Sequence, residues 1–358
     1  MTRAASGIVV TGIGMKTPLG NHSVQSAASV RAGINRFRRW PHFGVDLGDD
    51  SGLNASFVNP DMGDDPWTEK AFELLGPPLE EALWSSRLYD LEKHRGKLSA
   101  FLALPYPDRE GTTTEAFEEF AASLREDCFG EAPVQTEIIA LDHASGLVAV
   151  ARAVEQLQRG HADLCLVGGV DSLLDSRFLY ALFTEKRLKV GSRGSGLIPG
   201  EGGAFVILER ERDAARRKIK PLARVEAIAL EKDEPWGPEA PLRAEGLSRA
   251  LRSVLQVAGA GEIRRVITDL NGERWRFLEW ALAETRCLEE LPRGWQLWHP
   301  ADCLGDLGAA YGISAMVLAT RAMARGYHGD GKVLISACSE RGERAAMCLS
   351  APPRKGTD

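Results

Sequence analysis

No two of the six cysteines form a CxxC pair, no block of like charge interrupts the chain, and no apolar run reaches the roughly 20 residues of a membrane-spanning helix. The scattered cysteines point to a reduced, intracellular chain rather than a disulfide framework, and offer no CxxC pair for zinc. Cys165, inside the apolar run Leu164-Cys165-Leu166-Val167, reads as a buried thiol. A formal net charge of −6 has the wrong sign for a nucleic-acid footprint. Met1 to Gly7 holds no apolar leader core, so a cytoplasmic location is expected, with no membrane partner. Gly12-Ile13-Gly14 lacks the third glycine and the acidic residue of a dinucleotide fingerprint, so no cofactor is implied. What remains is an ordinary globular composition, 44% hydrophobic, over 358 residues. That length suits two fused halves better than one simple domain.

Strands and helices alternate along the chain. Ile8–Gly14, Ala100–Tyr106, Val134–Leu141, Ala162–Gly168, Gly203–Glu209 and Ala223–Leu230 have the short apolar runs of strands. Ser23–Ala32, Thr68–Leu75, Leu79–Leu88, Thr114–Cys128 and Gly146–Gln158 have helical periodicity, and 41 to 66 is Gly/Asp/Pro-rich and irregular. A polar, proline-bearing break at Asp233 to Ala240 separates the halves, placed at 1–238 and 239–358. The second half repeats the rhythm, with helices at Leu242–Ala258, Arg274–Thr285 and Asp306–Arg325. Its strands are Val266–Leu270, Trp295–Trp298, Lys332–Cys338 and Arg344–Leu349. Two similar halves of alternating elements predict a layered α/β architecture.

The most telling segment is Ile138-Ile139-Ala140-Leu141-Asp142-His143-Ala144-Ser145-Gly146. An apolar strand breaks at Asp142-His143, and small residues let a long helix begin hard against its end. Such an elbow presents one side chain at a helix N-terminus, where the macrodipole stabilises an anion such as a thiolate. The residue there is His143, not a thiol.

Several segments together carry a resemblance. Val9-Val10-Thr11-Gly12-Ile13-Gly14-Met15-Lys16-Thr17-Pro18-Leu19-Gly20 resembles the opening of the β-ketoacyl-acyl carrier protein synthases. His143 through Gly168-Gly169 resembles their nucleophile helix and following strand. Pro199-Gly200-Glu201-Gly202-Gly203-Ala204 is similar to their GEGA segment, and Gly305 to Gly312 to their second-histidine helix. The resemblance implies a thiolase-like fold of five layers, αβαβα, built from two pseudo-repeated halves. It also implies a dimer formed through the strand around Thr136 to Leu141, whose Ile138-Ile139-Ala140-Leu141 fits a strand buried on both faces.

The family's chemistry needs a cysteine nucleophile and two histidines that decarboxylate a malonyl donor and stabilise its enolate. By resemblance those positions fall on His143, Asn271 and Asp306. The family lysine falls on Ala301 and its partner aspartate on Ser195. The glycine-rich closing segment becomes Cys338-Ser339-Glu340-Arg341-Gly342-Glu343-Arg344, and only Glu201 of the core set survives. Each remnant has two readings. His143 is a base or ligand held by Asp306, or, the favoured reading, a hydrogen-bonded polar filler. Asp306 is a site residue, or simply a charge at a helix start. Asn271 reads as a turn residue beside Gly272. Cys303 reads as a structural thiol rather than a displaced nucleophile. Arg36-Phe37-Arg38-Arg39-Trp40 docks an acidic partner or is a solvated turn with a Trp anchor.

Three functions follow from the resemblance. First is a catalytically inactive accessory or adaptor protein. Short synthase-like proteins with a histidine at the elbow resemble those found beside type VI secretion effectors, which would make a secretion effector or chaperone the partner. Second is a non-catalytic subunit similar to chain-length factors, paired with an acyl carrier protein or an active synthase. Third is an acyltransferase or hydrolase using His143 and Asp306. No metal site is expected.

Overall fold

A computed structural model describes residues 2–44, 52–63, 65–94, 96–191, 193–235, 237 and 241–353. The first half contains β1 (Thr2–Lys16), α1 (Ser23–Arg31), the two-residue strands β2 (Arg38–Arg39) and β3 (Asn54–Ala55), α2 (Trp67–Ser85), β4 (Leu98–Leu104), α3 (Thr114–Leu124), β5 (Val134–Ala140), α4 (Ser145–Arg159), β6 (Leu164–Ser172), α5 (Ser176–Thr184), β7 (Glu201–Arg210) and α6 (Glu211–Arg216). Then follow β8 (Ala223–Lys232), α7 (Glu245–Ala258), β9 (Ile263–Ile267), α8 (Arg274–Cys287), β10 (Gln296–Trp298), α9 (Ala301–Leu304), α10 (Tyr311–Arg325), β11 (Lys332–Cys338) and β12 (Glu343–Ser350). The division placed at 238/239 falls outside the described residues, as does part of the irregular segment 41–66.

Ten strands form one mixed sheet in the order β10-β9-β11-β12-β8-β1-β7-β6-β4-β5. The long β1 joins its two halves, pairing with β7 on one side and β8 on the other. Period-two alternation puts neighbouring residues into different cores. On β7, Ala204, Val206 and Leu208 face the central core, while Phe205 and Ile207 face the core under α2 and α3. On β12, Ala345, Met347 and Leu349 face the same central core, while Ala346 and Cys348 face α7 and α8. α4 and α10 supply the central core from between the two halves of the sheet, which gives the five layers that were expected.

α4 and α10 cross at two glycines. A Cβ on Gly146 would lie 3.0 Å from the Gly312 Cα, and one on Gly312 would lie 3.0 Å from the Gly146 Cα. The small residues of the elbow therefore serve a backbone-to-backbone crossing directly under the site.

Two helices differ from the sequence reading. Thr68–Leu75 and Leu79–Leu88 are one helix, α2, running through Pro77 and Pro78. Proline removes a donor and frees the carbonyl four residues earlier. Here the freed Glu73 carbonyl accepts from Lys16 Nζ at 3.1 Å. Gly203 lets β7 approach the freed Leu74 carbonyl closely. The helix expected over Asp306–Arg325 begins only at Tyr311, as α10: Asp306 stands outside it, between the end of α9 at Gly305 and a 3₁₀ turn (Gly308–Ala310) that leads into α10. Asp306 is tied down on both sides by backbone bonds, its N–H to Ile198 and its carbonyl to the Gly200 N–H. These bonds replace helical ones.

β5 is one edge of the sheet, β10 being the other. Its Gln135 and Glu137 are exposed and Ile138 half-buried, so within one chain it is not the doubly buried strand the sequence suggested.

Candidate functional site at the strand–helix elbow

β5 ends at Ala140, and the chain reverses through Asp142, whose φ of 58° is a left-handed conformation rare for a residue with a Cβ. A 3₁₀ turn (Asp142–Ala144) carries the chain into α4, with Asp142 and His143 both buried. The Ser145 hydroxyl donates to the Asp142 carbonyl and closes the turn.

His143 is held on both ring nitrogens. Nε2 lies 2.7 Å from Asp306 Oδ1 and Nδ1 lies 3.0 Å from Asp142 Oδ2. Arg276, on α8, approaches the same Nδ1 with its Nη2 at 3.1 Å. Two donors cannot share a hydrogen bond. With a carboxylate on each side the proton belongs on Nδ1, and Arg276 stands beside it as a like charge. Arg276 is fixed elsewhere, by Asp269 Oδ2 at 2.6 Å and the Cys338 carbonyl at 2.7 Å. Burial and Arg276 push the imidazole pKa down, while Asp306 and Asp142 push it further up, leaving it raised to about 10. Burial works against ionisation of Asp306 too, but His143 and Arg276 hold its carboxyl far below the usual range. Asp142 is lowered in the same way. At neutral pH this is an imidazolium clamped between two carboxylates, with no lone pair to accept a proton.

Asn271 joins the same cluster. Its Nδ2 donates to Asp306 Oδ2 at 2.6 Å and to Glu273 Oε2 at 3.1 Å. It is therefore a buried bridge, not simply a turn residue. Asp306 also accepts from the Gly308 N–H at 2.9 Å. Its carboxylate thus has three partners, five residues ahead of α10, rather than being a charge at that helix's start. Glu273 carries the network outward to Arg187 (2.6 Å), and Arg187 also pairs with Glu340. Glu201 shares no hydrogen bond with this cluster. It is buried, accepts from the Val58 N–H at 2.6 Å and the Ser172 hydroxyl at 2.9 Å, and burial raises its pKa.

The segment Cys338 to Arg344 closes the elbow. Ser339 Oγ donates to the Leu141 carbonyl and accepts from the Ala144 N–H at 2.9 Å. In the nucleophile elbow of α/β-hydrolases, which has similar strand–turn–helix geometry, the amide after the nucleophile is an oxyanion donor. Here Ser339 occupies it. Cavities of about 670 and 590 Å³ flank Arg187 on the outside. Asp142 lines the second, but His143, Asn271 and Asp306 line neither. Cys303 is buried, its thiol pushed up by burial, with its sulfur 3.9 Å from the Val30 carbonyl. In the basic segment, Trp40 is buried and Arg38 lies over Phe57. No group of three His, Cys, Asp or Glu side chains able to hold a metal ion occurs among the described residues. None of the described helices is long and apolar enough to cross a membrane.

Arg276, Arg187, Glu273 and Glu340 were not foreseen from the sequence. Only Asp142, adjacent to His143, carried a sequence signal.

The N-terminal domain of the beta-ketoacyl synthases matches residues 142–214, which begin at the elbow. The ketosynthase of a type II polyketide synthase, in complex with its acyl carrier protein and bound to a hexaketide, superimposes over 97% of this chain and 99% of its own with a TM-score of 0.80 at 15% identity. This chain has the thiolase-like ketosynthase fold. The ishigamide ketosynthase/chain length factor superimposes over 97% of this chain and 99% of its own, with a TM-score of 0.75 at 17% identity. Among sequences, the 3-oxoacyl-[acyl-carrier-protein] synthase 2 of Mycobacterium bovis is 26% identical over 221 residues, 57% of this chain. The match spans 51% of that relative's length. Within this fold, the clamped imidazolium sits at the elbow where the matched domain begins.

Proposed function

We propose that this chain is a ketosynthase-fold protein without condensing activity that works by binding protein partners. The carrying observation is that Asp142 and Asp306 engage both nitrogens of His143 while Ser339 takes the Ala144 N–H. Nucleophile, base and oxyanion donor are thereby all committed to structure. With a malonyl thioester as substrate, neither decarboxylation nor condensation should exceed the buffer rate. His143→Cys should be equally silent, because by resemblance the family's two histidines fall on Asn271 and Asp306. Turnover by the wild type that disappears in a folded His143→Ala variant would overturn this reading.

Two partner classes follow. The resemblance to proteins beside type VI secretion effectors suggests an effector or its chaperone. The similarity to a ketosynthase in complex with an acyl carrier protein, and to a ketosynthase/chain length factor, favours a carrier protein or a synthase subunit. Affinity purification with mass spectrometry of the co-purifying proteins separates them, and recovery of neither class counts against a partner-binding role.

The chain also pairs with a second copy through β5. This strand is one edge of the sheet, and its half-buried Ile138 and Ala140 would be covered by a neighbour. Light scattering should give twice the 38.9 kDa chain mass for the wild type and the single mass for Ile138→Lys. A monomeric wild type would contradict it.

A further inference from the structure

Far along the chain from the elbow, α1 and the end of α10 enclose a concavity of about 410 Å³. Arg31 reaches it from the last turn of α1, and Arg321 and Arg325 from one face of α10. Ala27 and Ala28 leave the space between them open. Tyr327 lies in the same wall, with the Arg31 guanidinium 4.3 Å from its ring centroid. Tyr327 packs on Trp298 at 6.1 Å, and Arg265 stacks over Trp298 at 3.5 Å. Arg265 is only 5% exposed. Its Nη2 bonds Gln296 at 2.6 Å, but Nε and Nη1 have no hydrogen-bond partner.

All four guanidiniums act on the Tyr327 phenol. Among the described residues none of the four has a carboxylate partner. Elsewhere the arginines of this acidic chain are commonly paired, as Arg187, Arg210, Arg276 and Arg344 are. Helix dipoles account for Arg31 and Arg325, which sit in last turns, but not for Arg321 or the buried Arg265. Arg31 and Arg325 are exposed to solvent, whereas Arg321 is half-buried and Arg265 buried, and positive charges gathered there without a counter-charge favour an anion among them.

We propose that this concavity binds a small molecule bearing a di- or polyphosphate group, gripped by Arg31, Arg321 and Arg325. Guanidinium forks match phosphate oxygens bidentately, and a chain of two or more phosphates satisfies several forks where a single charge would satisfy one. The volume falls within the range of small-ligand pockets. The site is separate from the elbow, and the inference does not rest on the proposed partner-binding function.

The test is calorimetric titration of the full chain with pyrophosphate and with ADP at low salt. The expected result is one saturable site per chain, weakening with added salt and weakened at least about tenfold in Arg321→Ala/Arg325→Ala. Arg216→Ala, an exposed residue paired with Asp213, should bind as the wild type does. A cooperative thermal melt shows that the double variant is folded, and Arg31→Ala tests the same site from another helix. Absence of saturable pyrophosphate binding would overturn the proposal, as would unchanged binding in folded variants. So would binding of a poly-glutamate peptide but not of pyrophosphate, which would make the patch a dock for acidic protein.

Discussion

Asp306→Ala should lower the unfolding free energy by about 3–5 kcal/mol, the range for removing one partner of a buried ion pair. No catalytic role is needed for an effect of that size. The substitution leaves three groups behind: the His143 imidazolium, the Asn271 amide and the Gly308 N–H. It also strips His143 of its closest counter-charge while burial and Arg276 continue to act against its proton. Asp306→Asn keeps the shape and the bond from Gly308 and should lose less. Urea denaturation of both variants measures the difference. A loss below about 1 kcal/mol for the alanine variant, the scale of an exposed ion pair, would mean the cluster is not the buried network described.

Stability should also fall as pH rises through the neutral and mildly alkaline range. The His143 pKa is raised from an ordinary value near 6.5 to about 10 on folding. Above 6.5 the folded chain therefore holds a proton that the unfolded chain has released. The stabilisation is complete below pH 6.5 and is lost as pH rises toward 10, at up to about 1.4 kcal/mol per pH unit. Asp142 and Asp306 have the opposite sign. Their pKa values are lowered, so their contribution is present above the ordinary carboxylate value and is lost as pH falls below it. Between pH 7 and 8.5 the wild type should lose about 2 kcal/mol relative to His143→Gln. This difference cancels the groups common to both proteins. Parallel pH profiles for the two would show that His143 is neutral in the folded chain.

The elbow was legible in the sequence because its signals are local: an apolar strand, small residues and a helix with one apolar face. The layered fold was legible because strands and helices alternate throughout. What surrounds His143 was not. Arg276 arrives from α8 and Ser339 from the turn after β11, while Asn271 and Glu273 lie between β9 and α8. No periodicity in one segment reports which charges another segment brings. The prolines of α2 misled for a related reason, since a lysine 61 residues earlier in the chain, Lys16, accepts the task of satisfying the carbonyl that Pro77 frees. Asp306 was read as a helix start because the segment after it is helical. Backbone bonds to Ile198 and Gly200, which no local pattern reveals, hold it out of that helix.

The central claim is that His143 is a structural cation rather than a base or nucleophile. Nitrogen NMR of the selectively labelled imidazole ring across pH 6 to 9 tests it most directly. The account predicts that both ring nitrogens stay protonated up to pH 8 or beyond, with no midpoint near 6.5. A midpoint near the ordinary value, leaving one nitrogen unprotonated at pH 7.5, would contradict it and return His143 to candidacy as a general base.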